Sequence, residues 1–177
     1  MGKRVFKADL SAKGIKKLQD ELKQYQKSLD YRCKWIAETL AERGVKIAQM
    51  QIFGLDAVFT GDLMNSIKAQ YKGKTNKGHS YAIIAESEHA VFVEFGTGQQ
   101  GIDHPYPYPL PEGVSWDYAT GETIRKNAVT GRYYWFYPGQ DGLWHYTEGM
   151  PARPFMYNTS VELQREVIDV VKQAFDS

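Results

Sequence analysis

A carboxylate set inside an apolar run constrains this chain more than any other feature. Ala90-Val-Phe-Val-Glu-Phe-Gly-Thr-Gly98 carries Glu94 between Val93 and Phe95 and stops at a glycine turn. A carboxylate among such neighbours is costly unless hydrogen-bond donors or positive charge compensate it, so it requires a partner. The candidate lies far along the chain, in Gly149-Met-Pro-Ala-Arg-Pro-Phe-Met156, where two prolines hold the backbone about Arg153 extended. An Arg fork pairs well with a carboxylate, and Glu94 with Arg153 is expected to form a clamp, within one subunit or between neighbours.

The 177 residues fit a single domain, 1–177, with 99–131 as an irregular proline-rich arm or insertion within it. A formal net charge of +1 gives no global field for nucleic acid or membrane. Cys33 is the only cysteine, so no internal disulfide forms, and its place on a helical face predicts burial. The N-terminus has positive charge without a following apolar region, and no stretch is long enough to cross a bilayer, so a soluble, unexported protein is expected. Aromatic residues make up 14% of the chain and concentrate after residue 105, a bias that suits sheet faces and interfaces.

Along the chain, Ile15, Leu18, Leu22, Tyr25 and Leu29 recur at spacings of three and four, and Cys33, Ile36 and Leu40 continue the row. Ser28-Leu-Asp30 offers a cap, so two successive helices are expected, their stripe packed in the core rather than in a coiled coil. Ser66–Gly73 and His79–Glu86 alternate apolar and polar positions around the turn residues Lys74–Gly78, which predicts an antiparallel hairpin with Lys72, Lys74 and Lys77 at its tip. Ala90–Phe95 reads equally as strand or helix. His104-Pro-Tyr-Pro-Tyr-Pro-Leu-Pro111 excludes helix and favours an extended arm, with Trp116 and Tyr118 as its anchors. A second, aromatic hairpin follows, Arg132–Tyr137 and Leu143–Tyr146 around Pro138–Gly142, and an apolar helix is expected after Tyr157–Ser160. The fold class is therefore α+β: N-terminal helices and a C-terminal helix on a mostly antiparallel sheet of two hairpins, with a long proline-rich loop.

Motifs for chemistry are weak. Gly96-Thr-Gly-Gln-Gln-Gly101 matches the dinucleotide fingerprint by letter, but Ile102-Asp-His-Pro follows, so the helix that would present amides to a pyrophosphate is not expected. His79, His89, His104 and His145 have no ligand-like spacing with one another or with Glu86, Glu88, Glu94 and Asp103, and nucleophile elbows are missing. No catalytic residue, cofactor or metal site is assigned, and the chain is not read as an enzyme.

The order TG-x-L-x-x-SI (Thr60–Ile67), A-x-x-VEFGTG (Ala90–Gly98), G-x-x-ARPFM (Gly149–Met156) and a terminal helix resembles the head-tail joining proteins of tailed bacteriophages and prophages, small neck or tail-completion components often labelled minor tail proteins. The resemblance covers roughly residues 5–98 and 132–175 and implies that Ala90–Phe95 is a short helix. Its motifs make Thr60, Gly61, Leu63, Glu94, Phe95, Gly96, Thr97, Arg153, Pro154 and Phe155 the candidate structural or interface residues. It implies a structural virion protein of the neck or tail region, assembled in the host cytoplasm. Expected partners are other neck and tail proteins (connector, tail terminator or tail tube) and further copies of the chain, in a ring or as peripheral decoration. In a ring, Phe95, Gly96, Thr97 and the 99–131 arm are expected on one side of the contact, and the aromatic hairpin or Arg153–Phe155 on the other. The alternative is a nucleic-acid-binding module using the lysine tip and the aromatic hairpin, which is the weaker reading because basic residues near those rings are few.

Overall fold

The computed structural model describes residues 5–55, 57, 61–119, 121–139 and 141–176. The architecture is α+β, with elements α1 (Ala12–Gly54), α2 (Asp62–Asn65), β1 (Ile67–Thr75), β2 (Gly78–Ala85), α3 (Ala90–Phe95), α4 (Gly98–Asp103), β3 (Arg125–Lys126), β4 (Tyr133–Pro138), β5 (Trp144–Thr147), β6 (Gly149–Met150) and α5 (Phe155–Asp176). The chain forms two compact units: Met1–Lys46 with Lys68–Ile84 and Glu162–Ser177, and Ile47–Ile67 with Ala85–Val161. Each hairpin forms its own sheet, β1-β2 in the first unit and β3-β4-β5 in the second. None of the described helices is long and apolar enough to cross a membrane.

The helix α1, most of which belongs to the first unit, is one helix of 43 residues, not the two expected. No proline interrupts Ala12–Gly54, and Asp30 is drawn into other bonds instead of capping a break. It pairs with Lys74 and lies 3.3 Å from His79 Nε2 on β2. The expected core packing of the stripe also fails in the helix's first half. Ile15 and Leu22 are 44% and 45% exposed, and among described α1 residues burial begins only at Ala41. Phe6 meets Tyr25 edge-on at 5.5 Å, and Cys33, expected buried, is exposed. Nearer its middle α1 is tied to α5: Arg43 Nη1 donates to Glu166 Oε2 at 2.6 Å, Arg43 Nη2 to Gln173 Oε1 at 3.1 Å, and Arg32 to the Ala174 carbonyl. Val170 and Ala174 of α5 are buried with Ala41.

The second unit is centred on Ile47, Ala48, Ile52, Leu63, Ile67, Val93 and Phe155, all buried. Ala90–Phe95 is a helix, which settles the local ambiguity on the side the resemblance implied. Two expectations need correction here. A short helix, α4, does form inside the glycine motif, but it ends at Asp103, where His104-Pro105 stops it. The terminal helix starts at Phe155, earlier than the expected start after Ser160, because Pro154 sits directly before its first residue, where proline's missing N–H costs nothing. In β4 and β5 the register pairs Trp135 with Thr147, Phe136 with Tyr146, Tyr137 with His145 and Pro138 with Trp144. β3, inside the stretch that shows no sequence period, adds Arg125 opposite Tyr134 and Lys126 opposite Tyr133.

Candidate functional site

The VEFGTG and ARPFM motifs meet in the second unit, though not through the expected clamp. Glu94, 7% exposed, takes its compensating donors from the start of α5: the Met156 N–H donates to Oε2 at 2.8 Å and the Tyr157 N–H to Oε1 at 3.1 Å. These are the second and third residues of the helix, whose amides have no acceptor within it. The carboxylate thus caps a helix 62 positions away. Arg153 contributes its backbone instead of its guanidinium, its N–H donating to the Val93 carbonyl at 2.8 Å. Burial pushes the Glu94 carboxyl above its ordinary range, and the two amide bonds offset only part of that rise.

Gly96 and Gly98 explain why the motif ends as it does. Gly96 has φ of 82°, and a Cβ there would lie 2.7 Å from the Ala152 nitrogen. At Gly98, φ is 65° and a Cβ would lie 2.6 Å from the Trp135 ring. This close approach lets Thr97 bridge Met150 and Gly98 bridge Gly149, joining the motif to β6. Of the remaining candidates, Pro154 and Phe155 are buried, Phe155 completely, while Phe95, Thr97 and Arg153 are half-buried. Gly61 precedes α2 with φ of 82°, Leu63 is buried, and Thr60 lies outside the described residues.

The arm is held by rings and not by a repeating ladder. Phe95 packs against Tyr106 at 4.9 Å and Trp116 at 5.3 Å, and Tyr108 stacks on Tyr157 at 3.7 Å. Trp116 Nε1 donates to the Gly96 carbonyl at 2.9 Å, and the Tyr118 hydroxyl accepts from the Tyr106 N–H at 3.1 Å. Burial, then the charge of Glu94, pushes the Tyr106 phenol up to about 12. A polar network fixes α4 to the aromatic sheet. Arg132 donates to Glu148 Oε2 at 2.9 and 2.6 Å and to Asp103 Oδ2 at 3.0 Å, while Gln99 Nε2 donates to Asp103 Oδ1 at 2.8 Å. The Arg132 bond and then that from Tyr146 hold the Glu148 carboxyl below its usual range.

Sequence reasoning missed the Met156 and Tyr157 amides and the Gln99–Asp103–Arg132–Glu148 network. For the amides the signal was Pro154, which marks a helix start as readily as an extended segment. The network had no local signal. Among the described residues, no three of His, Cys, Asp and Glu are grouped to hold a metal ion. At the lysine tip, Lys74 is engaged by Asp30 and Lys72 by Gln70.

No curated protein and no solved structure gives a significant match to the chain. Residues 16–96 match the model of the HK97-gp10-like family, described as "Bacteriophage HK97-gp10, putative tail-component", a span that takes in α1 from Lys16, the β1-β2 hairpin and α3 up to Gly96. Over residues 16–96 this chain is thus similar to the HK97-gp10-like family of phage tail components.

Proposed function

We propose that the protein is a structural, non-enzymatic component of the phage neck, joining or completing the interface between head and tail as an oligomer. The observation that carries this reading is the family match over residues 16–96, whose last residue is the glycine against which the ARPFM segment packs. Surfaces left uncovered support the oligomer: Ile15 and Leu22 on α1, and Phe136, Trp144 and Tyr146 on the aromatic sheet, are 40% exposed or more. Gly96, Pro154 and Phe155 are buried within the chain, so in this reading they build the subunit and the uncovered surfaces make the contacts. Neighbours are further copies of the chain together with the connector, tail terminator or tail tube, and the subunits are made in the host cytoplasm before joining the particle.

Particles made without this protein test the reading. Filled heads and finished tails accumulating separately is the expected outcome in electron micrographs, with antibody against the protein labelling the junction in wild-type particles. Joined, infectious particles without it would refute the proposal.

A further inference from the structure

The aromatic sheet has one face turned toward the unit and one left open. Residues paired across neighbouring strands project from the same face, so the register puts Arg125, Tyr134, Phe136, Pro138, Trp144 and Tyr146 together on one side. Phe136, Tyr146 and Trp144 are 50%, 55% and 70% exposed. Their rings are already ordered: Tyr134 stacks on Tyr146 at 5.5 Å, and Phe136 meets Tyr146 edge-on at 5.8 Å. Rings with an arginine and no lysine is the composition of the centre of a protein contact.

The chain carries a second open surface of matching chemistry. In His104–Pro111 the burial alternates: Tyr106 and Tyr108 turn in to Phe95 and Tyr157, while Pro105, Pro107 and Pro109 stand exposed, followed by Leu110 and Pro111. Proline locks each φ near about −65°, so this ridge loses little entropy on docking, and proline-rich segments characteristically lie on aromatic surfaces. The charges complement one another as well. Glu112 closes the ridge and Arg125 borders the aromatic face; both are exposed, and neither has an ion-pair partner among the described residues. Within one chain the ridge is pinned to Phe95 and Tyr157 while the sheet face stays open, so its occupant is another molecule.

We infer that the proline ridge of one copy docks on the aromatic sheet face of a second copy, with Glu112 beside Arg125. This rests on the oligomeric reading above and specifies its contact. The interface is heterologous, two different patches meeting, and therefore closes into a ring or propagates as an array.

Sedimentation of the full chain over a concentration series tests it, using Trp144→Ala, Pro107→Ala/Pro109→Ala and the wild type. All three should keep the same circular dichroism, since the substituted side chains are exposed. Each variant is expected to raise the dissociation constant by at least about tenfold. Mixed in equal amounts, the two variants retain one intact pair of patches and should form a 1:1 complex that grows no further. Arg125→Glu should weaken association likewise and recover when mixed with Glu112→Arg. A wild type that stays monomeric at every concentration overturns the inference. So does association unchanged in both variants, or a mixture that forms no complex. These outcomes leave the neck assignment to the particle experiment, which decides it separately.

Discussion

Two carboxylates of the second unit, Glu94 and Glu148, each accept two or more hydrogen bonds, yet their surroundings are opposite in kind. Glu94 is buried and answered by two backbone amides at the start of α5. Glu148 is half-buried and is answered by the guanidinium of Arg132 and the Tyr146 hydroxyl. Burial raises the carboxyl of the first, and the ionic bond lowers that of the second. The contrast separates two uses of one side chain. Glu94 satisfies donors that would otherwise be orphaned in the core, whereas Glu148 joins a surface network that water can largely replace.

The largest effect on this contrast should come from the residue that seats the buried end. Phe155 is fully buried at the first position of α5, and Phe155→Ala is expected to cost about 3–5 kcal/mol in urea unfolding. A loss below about 1 kcal/mol would mean that the α5 start is not a core element. Glu94→Ala comes next, at about 1–3 kcal/mol, because it strands the Met156 and Tyr157 amides. Hydrogen exchange should show faster exchange at those two amides than in the wild type, and unchanged rates there would remove the capping role. Arg132→Ala should lower the melting temperature least, by an amount that shrinks as salt rises.

The pH dependence sharpens the same comparison through its sign. A raised folded pKa means that the Glu94 contribution is complete below the ordinary carboxylate value and is lost as pH rises through the folded value. The stability difference between wild type and Glu94→Gln should therefore decline from about pH 4 toward neutrality. Glu148 has a lowered pKa, so its contribution is present above the ordinary value and lost as pH falls through the folded one. Against Glu148→Gln, the difference should grow as pH rises from about 3 to the ordinary carboxylate value and stay level above it. Melts of the three proteins between about pH 3 and 8 decide it, and slopes of equal sign would break the comparison.

Much of the architecture was legible because its signals are local. Turn residues between alternating runs located both hairpins, and the apolar pattern after Ser160 located the body of α5. The motifs VEFGTG and ARPFM were also recognisable as a pair that meets, but the nature of the contact was not. Composition points to charge for Glu94, and Arg153 was the nearest cation in the motif, whereas backbone amides leave no mark in a sequence. The length of α1 was misread because Ser28-Leu-Asp30 has capping chemistry, and only the position of Lys74 and His79 shows what Asp30 does instead. The arm between 104 and 124 has no period because rings and single bonds hold it, each to a different neighbour.

The separation of Glu94 from Met156 has a consequence for synthesis. Closing a loop of that span is slow compared with forming a helix or a hairpin, so the bond belongs to the late steps of folding. A growing chain reaches Gly96 well before the segment that completes the contact emerges. Until residue 157 is free of the ribosome, Glu94 and its apolar neighbours have no lid, and a chain interrupted before that point cannot finish the second unit. Completion of the second unit thereby waits on synthesis of the ARPFM segment.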